Sequence, residues 1–155
     1  MSVDTITRIA SFIDTNITVP NSYEMIDLTL NESWTGEDNQ GSGPWIQFDI
    51  EEFDNDIAAV GDSANDYFEN GVVVFNIFDE QGSGTRDPYT IKDVIRDAFR
   101  ANPRKGGLTA LLGSGGNIMF TNITYRPFVV VDRLNSDLPW HRHDVLVNYQ
   151  KVYEV

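Results

Sequence analysis

The run GVVVFNIF, residues 71–78, constrains this chain more than any other stretch. It is apolar almost throughout, yet far shorter than the roughly 20 apolar residues needed to cross a bilayer. A short, nearly unbroken apolar run predicts a central strand buried on both faces. The sequence then continues as FDEQGSGTRDPYTIKDVIRDAF, residues 78–99, from strand through a glycine-rich loop into a helix. Nucleotide-binding enzymes use that layout to cradle phosphate, so the loop decides between an enzyme and a structural part.

The loop does not fit phosphate. A P-loop needs Lys and a hydroxyl at fixed offsets opening the helix, and neither is in place. The dinucleotide fingerprint needs three glycines, whereas this loop offers Gly82 and Gly84 and then Asp87, an acid where an anion would sit. Asp87 reads instead as an N-cap accepting from orphan amides, with Pro88 at the first helical position, where its missing N–H costs nothing. Gly82 and Gly84 therefore turn the chain and bind no nucleotide. The helix is expected over 88–100, with Ile91, Val94, Ile95, Ala98 and Phe99 on its buried stripe.

Elsewhere the periodicity sketches one layered domain over 1–155. Ile6, Ile9, Ala10, Ile13 and Ile17 fall at helical spacing, which predicts an amphipathic helix over 4–16 with Asp4 able to cap it. A short strand is expected over 24–30 and a loop over 31–44. WIQFDI, residues 45–50, sends Ile46, Phe48 and Ile50 to one face and Gln47 and Asp49 to the other. The acid-rich segment 51–70 has little periodicity and reads as a long exposed excursion, a hairpin or flap. A second glycine turn, LLGSGGN, leads into a long strand over 117–132, where Pro127 predicts a bulge or an edge. In the closing strand Val145, Val147 and Tyr149 share one face, and Asp144, Asn148 and Gln150 the other. The last two strands should pair as an antiparallel hairpin. The expected class is α+β: a mostly antiparallel four- to five-stranded sheet with two helices packed on one face.

Charge is lopsided. The chain carries a formal net charge of -13; residues 1–80 hold 17 acidic side chains against Arg8 alone, and residues 81–155 hold 7 acidic against 10 basic. Counterion release from nucleic acid needs clustered Lys and Arg, so sequence-specific or tight binding of nucleic acid is not expected. Two readings of the imbalance stand: solubility, or an acidic face on one copy meeting a more basic face on the next. There is no cysteine, hence no disulfide framework, thiolate nucleophile or Cys-based zinc site. The N-terminus lacks the charged start and apolar core of a signal peptide, and the expectation is a soluble protein without membrane partners.

Three further clusters bear on chemistry. In HRHD, His141 and His143 share a strand face, a geometry metals use, while Asp144 points to the opposite face; the plainer reading is a wet strand end beside Trp140. The carboxylates of FDIEEFDNDI show no calcium-loop register and read as a solvated acidic face. Lys92, Arg96 and Arg100 recur at every fourth position of the second helix, flanked by Asp93 and Asp97. They read either as a salt-bridged solvent face or as a docking ridge for an acidic neighbour.

These pieces together resemble the small tail-terminator, or tail-completion, proteins of tailed bacteriophages. The resemblance rests on the N-terminal helix, PWIQFDI, the segment GVVVFNIFDEQGSGTRDPYTIKDVIRDAF, the strand IMFTNITYRPFVVV and the closing W…DVLVNYQ. Gly82, Gly84, Ile91, Ile95 and Phe99 occupy the matching positions of its most specific part. The resemblance implies a non-enzymatic virion protein without cofactor, assembled in the host cytoplasm. It would form a ring, typically of six copies, capping the head-proximal end of the tail tube. Its partners would be its own copies, the tail-tube protein, head-completion or neck proteins, and passing genomic DNA. Such a ring joins two different faces of each copy. The candidate interface residues are Arg86, Lys92, Arg96 and Arg100 on one side and Glu51, Glu52, Asp54 and Asp56 on the other. Acidic groups lining the channel would let DNA slide without sticking. The alternatives are another head–tail connector or tail-tube subunit and, more remotely, a metal-dependent hydrolase built on His141 and His143.

Overall fold

Apolar residues two apart on four strands meet apolar residues three and four apart on two helices, and this match organises the molecule. The computed structural model describes residues 3–17, 21–23, 45–60, 65–80, 86–101, 107–131 and 140–154. The elements are α1 (Val3–Asn16), β1 (Asn21–Tyr23), β2 (Trp45–Val60), β3 (Asn65–Glu80), α2 (Arg86–Arg100), β4 (Ala110–Leu111), β5 (Asn117–Val131) and β6 (Trp140–Glu154). They form one sheet of order β1-β2-β3-β6-β5-β4. Every neighbouring pair is antiparallel except β1 with β2, which is parallel. The fold is thus α+β, with five antiparallel strands and two helices as expected, and the three-residue β1 adds a parallel edge.

One sheet face carries the core. Ile46, Phe48 and Ile50 of β2, Val73, Phe75 and Ile77 of β3, Ile118 and Phe120 of β5, and Val145, Val147 and Tyr149 of β6 are all buried in one cluster. Ile9 and Ile13 of α1, and Ile91, Ile95 and Phe99 of α2, enter the same cluster, so both helices lie on that face. Phe99 is its hub. Its ring lies 5.1 Å from Phe12 of α1, 5.9 Å from Phe75 and 4.7 Å from Phe120, the last two edge-on. Such tilted and edge-on pairs add about 0.5–1.5 kcal/mol each beyond burial alone.

The helix ends have local causes. Asp4 sits within the first turn of α1, where a carboxylate complements the helix dipole. At the other end the Asn16 side-chain amide donates to the Phe12 carbonyl at 2.9 Å, satisfying one orphan acceptor. Helix α2 opens at Arg86, slightly ahead of the expected start, so Asp87 falls inside its first turn. Its end is tied down by the Thr109 amide, which donates to the Phe99 carbonyl at 2.7 Å.

The expected excursion over 51–70 takes its hairpin form, with longer regular strands than the sequence suggested: β2 continues to Val60 and β3 begins at Asn65, paired from Asp54↔Asn70 to Val60↔Asn65. Acidic residues on both faces hid its period of two. The glycine turn LLGSGGN is present and follows directly on the two-residue strand β4, which ends at Leu111 and is too short to show periodicity. Pairing also begins at β1, ahead of where the sequence suggested a strand; the expected strand 24–30, the loop 31–44 and the glycines Gly82 and Gly84 lie outside the described residues. Pro127 does mark an irregularity, since the β5–β6 register shifts between Arg126 and Val129.

Candidate subunit interface

The β2–β3 pair extends past the apolar core as an acidic arm. On β2 and β3 the core ends at Ile50 and Val73, and the next row brings Gly71 beneath the ring of Tyr149. A Cβ on Gly71 would strike the Glu51 carbonyl oxygen and would lie 2.6 Å from the Tyr149 ring, so only glycine lets that ring cross the strand. Beside it the register shifts between Glu52 and Asp54, leaving Phe53 at the irregularity and 62% exposed. Glu51 is exposed and Glu52 half-buried. Asp54 and Asp56 pair with Asn70 and Phe68, and their side chains lie outside the described residues.

A buried polar cluster anchors this arm to the N-terminal helix. The Lys151 ammonium, 4% exposed, donates to Asp4 Oδ2 at 3.0 Å and to Thr5 Oγ1 at 3.1 Å. Glu69 of the arm accepts from Tyr149 Oη at 3.3 Å and from Thr5 Oγ1 at 3.4 Å. The hydrogen bond from Lys151, first, holds the Asp4 carboxyl below the ordinary range, with the charges of Lys151 and Arg8 assisting against partial burial. Arg8 donates to the Gly116 carbonyl at 2.7 Å and the Leu111 carbonyl at 3.0 Å, tying α1 to the β4–β5 turn. Sequence reasoning missed this cluster. Its one available signal was Thr5, a polar residue on the buried stripe of a helix.

The basic stripe of α2 divides. Lys92 is buried, with its ammonium 4.5 Å from the Tyr89 ring centre and 5.9 Å from that of Tyr125. Burial pushes its pKa down, and Asp144 opposes that shift. It is therefore no solvent-face residue in the single chain: two aromatic rings receive its charge. Arg96 is held by Asp97 at 3.1 Å and Asp93 at 3.0 Å, and Asp97 above all raises its pKa further. Arg100 is exposed, and the Arg86 and Asp87 side chains lie outside the described residues. Pro88 is buried. Among the described residues, these cations gather on one helix and make no ion pair with the acidic arm of the same chain.

HRHD also separates. His143 is 2% exposed on the core face, its ring 6.1 Å from Tyr89 and edge-on, so it is no wet strand end. Helix α2 lies over it, which strand periodicity alone does not reveal. Asp144 is buried on the opposite face, across from Asn76 and Arg126, with Arg142 at 3.2 Å. Burial pushes its carboxyl up, against the pull of Arg142, Arg126 and Lys92. The His141 side chain lies outside the described residues. Among the described residues no three His, Asp or Glu side chains gather as a metal site. A groove of about 500 Å³ between α1 and β4 is lined by Arg8, Ser11, Phe12, Thr15, Leu111 and Leu112. Arg8 is already committed there to two backbone carbonyls.

The opposite margin of the sheet is exposed. Thr121, Asn122, Thr124, Tyr125 and Arg126 of β5 are open to solvent. No protein-family profile and no curated protein matches the chain. Against solved structures the fold recurs in 17 chains, so it is not peculiar to this sequence. One match covers 97% of this chain and 96% of its own, with a TM-score of 0.53 at 15% identity. Identity that low establishes a shared fold and leaves function to be argued from the surfaces.

Proposed function

We propose that the protein is a structural virion component: a ring-forming tail terminator that caps the tail tube, ends its polymerisation and presents a docking surface to the neck. It works by packing against copies of itself and makes or breaks no bonds. The observation carrying this reading is the pair of unlike surfaces on one sheet. One is the acidic β2 arm, with exposed Glu51 and Phe53; the other is the β5 margin, with exposed Arg126 and Tyr125 beside the Arg96-bearing helix. Unlike surfaces suit a closed head-to-tail ring, in which every copy gives one face and receives the other. The sequence resemblance supplies the biological setting, with the tail-tube protein, the neck proteins and passing DNA as partners.

The test has two stages. Light scattering and negative-stain imaging of the concentrated protein should show closed rings; a monomer at every concentration refutes the reading. Particles assembled without the protein should then carry uncapped, overlong tails. Tails of normal length that fail to join heads would make it a head–tail connector instead.

A further inference from the structure

Two exposed apolar features stand toward opposite ends of the strand order. On β2, Phe53 lies at the register shift with 62% of its surface open, in a run that also holds Glu51, Glu52, Asp54 and Asp56. A bulge re-aims a side chain, and here it leaves a phenylalanine in water. At the far end, α1 and β4 bound a groove of about 500 Å³. Thr7, Ser11 and Thr15, one turn apart along α1, are exposed on one wall, and Leu111 and the 58%-exposed Leu112 form the other. Phe12 also lines it, and its ring lies 5.1 Å from Phe99 and 5.8 Å from Phe120. The groove therefore opens onto the outer surface of the aromatic core. Among the described residues its lining holds one cation, Arg8, and no carboxylate. The pairing rows link the two features. Asp54, just past Phe53, is joined through Asn70, Gln150 and Met119 to Ala110 of β4. Phenylalanine and groove thus share a level along the strands, four strand spacings apart, about 19 Å at ~4.8 Å each.

We infer that Phe53 of one subunit seats in the α1–β4 groove of the next, so that the occupant of the groove is a second copy of this chain. This rests on the ring reading and specifies the contact that closes it. Chemistry selects the occupant. An aromatic anchor meets an aromatic floor at Phe12, a pairing of rings favoured beyond burial alone. A single ring buried in a pocket of the partner is also the usual form of an interface hot spot. The acids around Phe53 meet a lining of hydroxyls with Arg8 among them. The Arg8 guanidinium is held in place by the Leu111 and Gly116 carbonyls, with Asp4 at 3.4 Å. Contact of Phe53 with its own copy would instead set Glu51 and its neighbours against like charges, which repel. The acids thus act twice, keeping anchors apart and directing them to the groove. Because phenylalanine and groove lie at one level, successive copies add side by side across the strands. Unlike faces joined in this way repeat head to tail until the ring closes.

Phe53 and Ser11 are both exposed, so each can be altered while thermal unfolding checks the fold. Phe53→Asp should weaken assembly at least tenfold by light scattering. Ser11→Trp, which fills the groove, should do the same, each with an unchanged thermal midpoint. Mixing the two variants separates the faces. A Phe53→Asp copy keeps its groove and a Ser11→Trp copy keeps its phenylalanine, so the mixture should form one-to-one dimers and stop there. A mixture that stays monomeric, or rings that persist in either variant, would overturn the seating and leave the ring reading intact. A wild type that is monomeric at all concentrations sinks the ring reading and this inference together. Cross-linking is an independent check that needs neither variant, and the chain has no cysteine to give background. Phe53→Cys combined with Leu112→Cys and treated with a short bis-maleimide should give a ladder rising to the full ring. Rings without a ladder count against the seating. So does a dimer from Phe53→Cys alone, since the anchors would then meet each other, or one from Leu112→Cys alone, with two grooves face to face.

Discussion

The two ends of β6 bury charge in opposite ways. At the Lys151 end an ammonium finds a carboxylate and a hydroxyl within 3.1 Å, and the neighbouring Glu69 is bonded by Tyr149 and Thr5. At the Asp144 end a carboxylate has Arg142 at 3.2 Å and Arg126 opposite, yet burial outweighs both and raises its pKa. One end is a clamp joining α1, β3 and β6. The other is a charge the fold tolerates at some cost. The lesson is that proximity of opposite charge stabilises only when the desolvation it requires is matched by well-directed bonds.

The apolar middle between these ends sets the scale. Phe99→Ala removes the hub of four elements and should cost about 3–5 kcal/mol in urea unfolding. A loss below ~1 kcal/mol would mean that the core closes over the gap and that the ends matter more than supposed. Lys151→Ala should come next, at about 2 kcal/mol, because it strips Asp4 and Thr5 of their shared donor beside the buried Glu69. A double-mutant cycle with Asp4→Ala should return a clear coupling; additive losses would dissolve the clamp into separate contacts. Gly71→Ala, at the same end, should cost about 1–3 kcal/mol by pushing a Cβ into the Glu51 carbonyl and the Tyr149 ring. The loss should be accompanied by faster amide exchange in the arm.

The smallest effect is the most discriminating. Asp144→Asn should change stability at neutral pH by less than about 1 kcal/mol, or raise it, since it removes a charge held at a cost. The pH profile then separates the two ends. Asp4 has a lowered pKa in the folded state, so its contribution is complete above the ordinary carboxylate value, about 3.9, and is lost as pH falls below that through the folded value. Asp144 has a raised one, so the folded form takes up its proton first. Acidification toward the ordinary value therefore recovers stability at this site. Thermal midpoints of the wild type minus those of Asp144→Asn should rise as pH drops through that window. A flat difference would show that Arg142 and Arg126 fully offset the burial.

Much of the frame was legible in the residues because short-range patterns govern it. The stripe through Ile9 and Ile13, the alternation of Val145, Val147 and Tyr149, and the apolar run into Ile77 each reported a buried face before any partner was known. Pro127 announced its register shift, since a residue without an amide hydrogen interrupts a ladder wherever it falls. The candidate interface was only half legible. Acidic residues marked the arm but hid its strands, and the regular spacing of Lys92, Arg96 and Arg100 concealed that the first is buried.

By itself the sequence determined which faces turn inward, since burying apolar side chains depends on their local period. It also determined that acid gathers in one half of the chain and base in the other. Only the tertiary structure decided which charges are sheltered and which are offered. Lys151 resembles any surface lysine until Asp4, 147 positions away, is brought to 3.0 Å. The same folding brings Tyr125 to Lys92 and leaves Arg126 exposed. Electrostatic energy depends on separation and burial in space, and neither quantity is written in the order of residues.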